Sequence, residues 1–173
     1  ALEDVPSLAT LLTGRHLSAT GGDTEFCNTY AAYDDLSASE RKRLDAVRIV
    51  HTLEASQRLI HPNPTEAQLA RWRSYSNDKV HPLVWTHRSG RKSLLLGASV
   101  SCVADMDRKQ GDALLKRVLD WATQPKYVYQ HNWHVGDLII WDNTGTLHRV
   151  TPYALDSGRL MHRTALAGEE PIA

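Results

Sequence analysis

The chain has 173 residues, a formal net charge of +0 and a hydrophobic content of 42%. This length suggests one domain spanning residues 1–173, and the balanced charge gives no general attraction to nucleic acid or to anionic membranes. No apolar run approaches the roughly 20 residues that a membrane-spanning helix needs. These properties favour a globular protein with no nucleic acid or membrane partner.

The two cysteines, Cys27 and Cys102, are too few and too far apart for a disulfide framework or a zinc site. Free thiols fit a reducing compartment, and the acidic N-terminal residues do not resemble a signal peptide. We therefore expect a cytoplasmic protein. Because the chain starts without methionine, we also expect it to be the C-terminal portion of a longer polypeptide.

The N-terminal region predicts two strands. Residues 7–12 are apolar enough for a buried strand, and Gly21-Gly22 is typical of a turn. Residues 23–27 alternate polar and apolar side chains, as a half-buried strand does. Because strand side chains alternate faces, Thr24 shares a face with Phe26.

The middle of the chain predicts helices. Ser37 and Glu40 form a capping box, which predicts a helix that ends near His51. A second capping signature at Thr65 predicts a short helix behind Pro64. The connection between the two helices is long and could cover a site, although such segments are more often surface loops.

Further strands and one clear helix follow. Residues 80–87 and 93–100 read as a strand pair joined by a hairpin turn at 89–92. Asp107 can cap a helix over residues 108–123, where apolar residues recur at helical spacing.

The C-terminal region predicts three strands, at residues 138–141, 146–151 and 159–165. Arg159, Met161 and Arg163 then share one face of the last strand. Two arginines on one face are ordinary if that face meets solvent. Inside a barrel they would be costly without anions to pair with.

The strands cluster at the two ends of the chain, with helices inserted between them. This order predicts a mainly β fold with inserted helices, either a β-sandwich or a jelly roll.

The nine histidines are not equally good candidates for binding a ligand. His131 and His134 should point to opposite faces of an extended segment, and His16, His61, His81 and His87 lie near turns or strand edges, where we expect solvent. His148 lies in the middle of the C-terminal strand pair. A lone strand histidine is more often structural, so only the nearby arginines raise the odds that His148 binds a ligand.

Two motifs in this order resemble the taurine dioxygenase/TfdA family of Fe(II)- and 2-oxoglutarate-dependent dioxygenases. They are G-G-D-T-E-F-C-N-T-Y-A-A-Y-D-D-L-S, and G-D-L-I-I-W-D-N-T-G-T-L-H-R-V followed by R-L-M-H-R. S-G-R-K-S-L-L-L-G-A and W-A-T-Q-P-K-Y-V-Y-Q-H-N-W-H-V-G-D are most similar to the branch around 2,4-dichlorophenoxyacetate dioxygenase. The resemblance covers nearly the whole chain and implies a double-stranded β-helix (jelly roll), incomplete at its N-terminus.

The resemblance also implies roles for four residues. His148 would be the distant histidine of a facial triad that binds Fe(II). Arg159 would clamp the C5 carboxylate of 2-oxoglutarate, with a hydrogen bond from Thr24. Arg163 would pair with an anionic substrate group, since the planar guanidinium grips carboxylates with two hydrogen bonds.

The chain departs from the family in one respect. No His-x-Asp or His-x-Glu occurs anywhere in it. In the family that motif precedes G-G-D-T, which places it before Ala1, so we expect these two ligands upstream rather than mutated. The residues present supply one metal ligand of three.

The function implied by the resemblance is hydroxylation of a small anionic substrate, such as an aryloxyalkanoate or a sulfonate. The reaction would consume O2 and 2-oxoglutarate and release succinate and CO2. Family members often form dimers or tetramers, so a homo-oligomer is expected. Two rival functions stay open: a jelly-roll protein that binds a small carboxylate without iron, and a structural β domain whose arginines are solvated.

Overall fold

The computed structural model describes residues 2–75 and 78–172. Its strands are, in chain order, β1 Ala9–His16, β2 Thr24–Asn28, β3 Arg48–His51, β4 Lys79–Pro82, β5 Val84–Thr86, β6 Lys92–Leu94, β7 Val100–Val103, β8 Val128–His131, β9 Leu138–Asp142, β10 Thr146–Val150 and β11 Leu160–Leu166. Its α-helices are α1 Thr29–Asp34, α2 Ala38–Asp45, α3 Leu53–Arg58, α4 Glu66–Tyr75 and α5 Arg108–Ala122.

Two three-stranded antiparallel sheets form the frame. One has the order β11-β1-β9 and the other β10-β2-β8. The rings of Phe26 in β2 and Trp141 in β9 lie 5.1 Å apart, so the sheets face each other. This arrangement confirms the predicted mainly β fold with inserted helices and the two-layered jelly roll.

The helices cover the outer face of the sheet β10-β2-β8, which we call the helix-backed sheet. Cys27 pairs with Leu147 and Val128 across this sheet, so the three side chains share its outer face. They pack into the main hydrophobic core with Leu114 and Val118 of α5. The Cys27 thiol donates to the carbonyl of Ala122 at the end of the same helix.

The sheet β11-β1-β9, here the open sheet, lacks such cover among the residues that the structure describes. Leu138 and Ile140 on its outer face are each 59% exposed, and Leu160 and Leu166 are also exposed. Its inner face carries Thr10, which is fully buried.

The helix predicted to end near His51 is shorter than expected. It ends at Asp45, and Arg48–His51 instead form β3, between β4 and β7. Ile49 and His51 are fully buried on one face of this strand. This segment forms a strand because it pairs with a strand on each edge and buries alternate residues. These contacts override the helical spacing of its apolar residues.

Three other predictions were wrong in detail. The strand expected over residues 93–100 is only Lys92–Leu94, and the segment up to Val100 includes Gly97, whose φ of 136° is outside the strand range. The connection before Thr65 contains α3. His81 and His87 are buried, not solvated, because His81 lies on the same side of its sheet as Ile49, and His87 packs against Trp85.

No helix within these described residues combines the length and the apolar character needed to cross a bilayer.

Candidate active site

His148 lies on the inner face of the helix-backed sheet. It pairs with Phe26 in the register of β10 and β2, and its ring lies 4.8 Å from that of Trp141 and 6.5 Å from that of Phe26. The residue as a whole is exposed to solvent, although its ring packs against Trp141. Burial of the ring lowers the pKa of His148, and the nearby charge of Arg163 lowers it further. Both effects favour the neutral imidazole, which is the form that binds metals.

Arg163 enters the same space from the open sheet. It pairs with Leu12 of β1, and its Nη2 donates to Thr10 Oγ1 over 3.3 Å. Thr10 also exchanges hydrogen bonds with the side chain of Asn143. Arg163 keeps solvent exposure, and no carboxylate of the described chain lies within 4.0 Å of it.

A cavity of about 550 Å³ joins His148 and Arg163. Much of its remaining wall is apolar, formed by Trp85, Leu147 and residues 94–98. Asn143 and Thr144 add polar groups beside the histidine. The wall also includes the carboxylate Glu3, but no carboxylate of the described chain lies within 4.0 Å of Arg163. Arg163 is therefore available to a small organic anion in this largely apolar cavity.

Arg159 and Thr24 are not among the residues that line this cavity. Arg159 precedes β11, and its Nη2 donates to the carbonyl of Gly22 over 3.0 Å. Its guanidinium carbon lies 4.9 Å from the centre of the Tyr153 ring. Gly22 has φ +80°, and a Cβ there would come within 3.0 Å of Arg159 Nε, so glycine is needed beside this arginine.

Thr24 is buried on the same face of the helix-backed sheet as His148. It pairs with Val150, two residues beyond His148. Its Oγ1 accepts a hydrogen bond from Trp133 Nε1 at 2.9 Å. The structure thus brings His148 and Arg163 into one cavity. Thr24 lies further along the same sheet face as His148, and Arg159 contacts Gly22, two residues before Thr24.

Tyr30 supports the turn that carries His148. Its hydroxyl contacts Thr144 Oγ1 at 2.8 Å and donates to Asp142. Gly145 lies directly under the Tyr30 ring, where a Cβ would overlap ring carbons. Arg91 lies 4.1 Å from the centre of the same ring.

A buried pair supports the other side of this turn. Ser93 donates to the carbonyl of Thr144 over 2.8 Å, and His87 Nε2 contacts Ser93 Oγ at 2.8 Å. Burial lowers the pKa of His87. The hairpin β5-β6 thereby fixes the turn between β9 and β10.

The prediction that His131 and His134 point to opposite faces was wrong. His131 Nε2 lies 3.0 Å from Asp137 Oδ2, and His134 Nδ1 lies 3.7 Å from the same oxygen. Asp137 also accepts from the backbone amide of His134, and this bond is the main reason that its pKa is lowered. The chain bends here to form one hydrogen-bonded group.

Iron fits only part of this arrangement. His148 provides one neutral nitrogen ligand beside a cavity. Among residues 2–75 and 78–172, however, no three His, Cys, Asp or Glu side chains are grouped to hold a metal. The 2-oxoglutarate carboxylate fits better, because Arg159 lacks a carboxylate partner in the described chain and has donors beyond the one that it gives to Gly22, two residues before Thr24.

Sequence reasoning missed several groups around the site. Trp133, Asn143 and Thr10 were not singled out, because their roles depend on contacts between strands far apart in the chain. The indole N–H of Trp141 is also buried, with no hydrogen-bond partner in the described parts of the chain. The clustering of tryptophans at 133 and 141 around the predicted strand was the available signal.

The family model for "Taurine catabolism dioxygenase TauD, TfdA family" matches residues 1–165. The chain is 39% identical over 160 residues to an alpha-ketoglutarate-dependent 2,4-dichlorophenoxyacetate dioxygenase of Burkholderia sp. (strain RASC), covering 91% of this chain and 52% of that protein. It is 32% identical to an alpha-ketoglutarate-dependent sulfate ester dioxygenase of Pseudomonas putida, covering 95% and 56%. The chain therefore spans about half the length of the curated relatives it matches.

Solved structures agree with this similarity. AAD-2, determined in complex with Mn(II) and N-oxalylglycine, superposes with a TM-score of 0.90 at 33% identity, covering 100% of this chain and 68% of that one. A putative alpha-ketoglutarate dependent 2,4-D dioxygenase from Burkholderia xenovorans gives a TM-score of 0.84 at 31% identity, covering 98% and 65%.

Proposed function

The chain belongs to the taurine catabolism dioxygenase TauD, TfdA family, and from this premise we propose that the protein containing it is an Fe(II)- and 2-oxoglutarate-dependent dioxygenase. It would hydroxylate a small anionic organic substrate and release succinate and CO2. Residues 1–173 would form part of a single catalytic jelly-roll domain. The observation that carries the proposal is the cavity that holds His148 and Arg163 together.

We assign His148 as one of the iron ligands. Its lowered pKa keeps the imidazole neutral, so that the ring nitrogen has a lone pair for the metal without competing protonation. Trp141 and Phe26 pack beside the ring and limit its rotation. The metal, when bound, would supply the activation of O2 and the oxidation of the substrate C–H bond.

We assign Arg159 and Thr24 to 2-oxoglutarate. The guanidinium of Arg159 is held by the Gly22 carbonyl and by the Tyr153 ring. Both contacts leave N–H donors free for the C5 carboxylate, since arginine has five donors in a fixed plane. Thr24 would donate one further hydrogen bond to the same carboxylate.

We assign Arg163 to the substrate anion. Its guanidinium donates to Thr10, which is itself hydrogen-bonded to Asn143 in the cavity wall. The apolar wall formed by Trp85, Leu147 and residues 94–98 would contact the body of the substrate. Two similar proteins are named for 2,4-dichlorophenoxyacetate and for sulfate esters. Both classes combine an anionic group with an apolar body, and we propose such a compound here.

We propose that the protein acts in the cytoplasm as a homo-oligomer, a dimer or tetramer, without nucleic acid or membrane partners. The near-neutral charge supports the absence of nucleic acid and membrane partners, and the free cysteines support the cytoplasmic location. Sedimentation of the purified protein measures the oligomeric state directly, and a monomer at micromolar concentration would contradict it.

The two arginines give the sharpest test of these assignments. In the protein containing this chain, Arg159→Ala should raise the KM for 2-oxoglutarate, and Arg163→Ala should raise the KM for the substrate, each by about ten- to a hundredfold. Loss of a charged hydrogen-bond donor costs roughly 1.5–3 kcal/mol. Succinate release measures both constants. Arg88→Ala is a control, since Arg88 contacts the C-terminal segment away from the cavity. Equal effects of both substitutions on both ligands would refute the division of roles.

A further inference from the structure

Trp133 and Thr24 form a hydrogen bond whose direction is fixed by chemistry. The indole Nε1 of Trp133 lies 2.9 Å from Thr24 Oγ1. An indole nitrogen only donates, whereas a hydroxyl has one donor and two acceptor positions. Thr24 must therefore accept from Trp133, and its own hydroxyl proton is directed elsewhere.

Thr24 has no second partner in the described ranges 2–75 and 78–172. The residue is buried, and no acceptor for its hydroxyl proton lies among these residues. A buried hydroxyl proton without an acceptor is unfavourable by itself, because buried polar groups are normally paired. The position is suited to a ligand that brings an acceptor, such as a carboxylate oxygen.

Trp133 is itself held firmly. The ring of His131 meets it edge to face, with 4.7 Å between the ring centres. His131 in turn contacts Asp137, which also accepts from the backbone amide of His134. On the other side, the indole packs near Gly14, since a Cβ built there would lie 3.6 Å from Trp133 Cε3, an ordinary contact distance. These contacts fix the direction in which the indole N–H points.

We propose that Trp133 is a positioning residue that makes the Thr24 hydroxyl a hydrogen-bond donor to the C5 carboxylate of 2-oxoglutarate. The proposal rests on the function proposed above. Trp133 does not touch the ligand. Its N–H occupies one lone pair of the Thr24 oxygen, so the hydroxyl proton points away from Trp133. The hydroxyl can then present this proton, rather than a lone pair, to the carboxylate. The bond also polarises the hydroxyl and strengthens it as a donor.

The test is the affinity for 2-oxoglutarate, measured by calorimetry without oxygen and with Mn(II), in the protein containing this chain. Trp133→Phe removes the N–H and keeps a ring, and should raise the Kd about three- to tenfold, as expected for one hydrogen bond. Thr24→Val should do the same, and the double variant should lose little more than either single variant. The Kd of 2-oxovalerate, which lacks the C5 carboxylate, should be unchanged by Trp133→Phe.

Trp121→Phe is the matched control, because the Trp121 indole donates to the backbone carbonyl of Ala32, in the helical part of the molecule. It should leave the affinity for 2-oxoglutarate unchanged. A nuclear magnetic resonance spectrum gives a second readout: the indole proton of Trp133 should shift upfield in Thr24→Val, even without ligand.

Three results would overturn the proposal. They are additive losses of 2-oxoglutarate affinity in the double variant, an equal rise in the Kd of 2-oxovalerate in Trp133→Phe, or an indole chemical shift that is unchanged in Thr24→Val. If the unaltered protein fails to bind 2-oxoglutarate while that resonance still responds to Thr24→Val, the hydrogen bond stands but the proposed function and this inference both fall. Binding by the unaltered protein with no effect of Trp133→Phe would refute the inference alone.

Discussion

The two sheets of this protein differ in what lies behind them. The helix-backed sheet has apolar side chains on its outer face that enter the main core, where Leu114 is 4% exposed. The open sheet carries outer side chains such as Ile140 that meet solvent. Each sheet nevertheless contributes inner residues to one cavity, His148 from the first and Arg163 from the second.

This difference indicates which sheet holds the site in place. Burial of apolar surface contributes roughly 25 cal/mol per Å², so most of the stabilisation in the described chain comes from the helix-backed side. Thr24 and His148 lie on that side. The open sheet depends on the pairing of β1 with β11 and β9 and on contacts through the inner face, such as the Arg163–Thr10 bond.

The largest expected effect comes from truncating one apolar side chain behind the helix-backed sheet and one on the outer face of the open sheet. Leu114→Ala should lower the free energy of unfolding by about 2–5 kcal/mol, because it leaves a cavity in the core. Ile140→Ala should change it by less than about 0.5 kcal/mol in this chain, because the side chain is already exposed. Urea unfolding followed by circular dichroism measures both, and similar losses would contradict the distinction.

The second largest effect should come from acid, which should destabilise the protein through the buried His51. Burial lowers the pKa of His51 to about 4 from an ordinary 6.5, so the folded state resists a proton that the unfolded state accepts. Stability should therefore fall as pH drops from 6.5 toward 4, by up to about 3 kcal/mol at 1.36 kcal/mol per pH unit.

The His51→Leu variant should show a shallower decline over this range, measured as the unfolding midpoint against pH. His61→Ala should keep the full decline, since His61 is exposed. An unchanged slope in His51→Leu would show that another group governs the acid response.

A change at the turn that joins the two sheets should have a smaller cost in stability and a specific cost in function. Gly145→Ala places a Cβ against the Tyr30 ring, which Thr144 and Asp142 hold in place. Overpacking of this kind costs roughly 1–3 kcal/mol. The displaced turn should reduce succinate formation more than Gly90→Ala, where the added Cβ meets nothing within 4 Å. Equal activity of the two variants would show that the turn does not position His148.

The sequence correctly predicted the features of the fold that depend on local residue patterns. The capping box at Ser37, the amphipathic helix after Asp107 and the alternation that places Thr24 beside Phe26 all agree with the structure. It could not predict β3, because its strand pairing depends on β4 and β7, which lie far along the chain. The family motif indicated His148 and Arg163, but their shared cavity depends on how the two sheets face each other.

The contacts that support the site were also beyond sequence reasoning. Trp133 meets Thr24 across 109 positions, and Ser93 meets Thr144 across 51. Neither pair carries a spacing signal that a single sequence could reveal. The roles of Thr24, Arg159, Arg163 and His148 stay predictions that the experiments above test.

The most direct test of the central claim is the binding of Fe(II) by the protein containing this chain, measured without oxygen in the His148→Ala variant. His162→Ala is the matched control, because His162 lies on the outer face of β11 and contacts Arg15. The account predicts that His148→Ala loses the iron and His162→Ala retains it. Full retention of iron by His148→Ala would contradict the assignment of the cavity as an iron site.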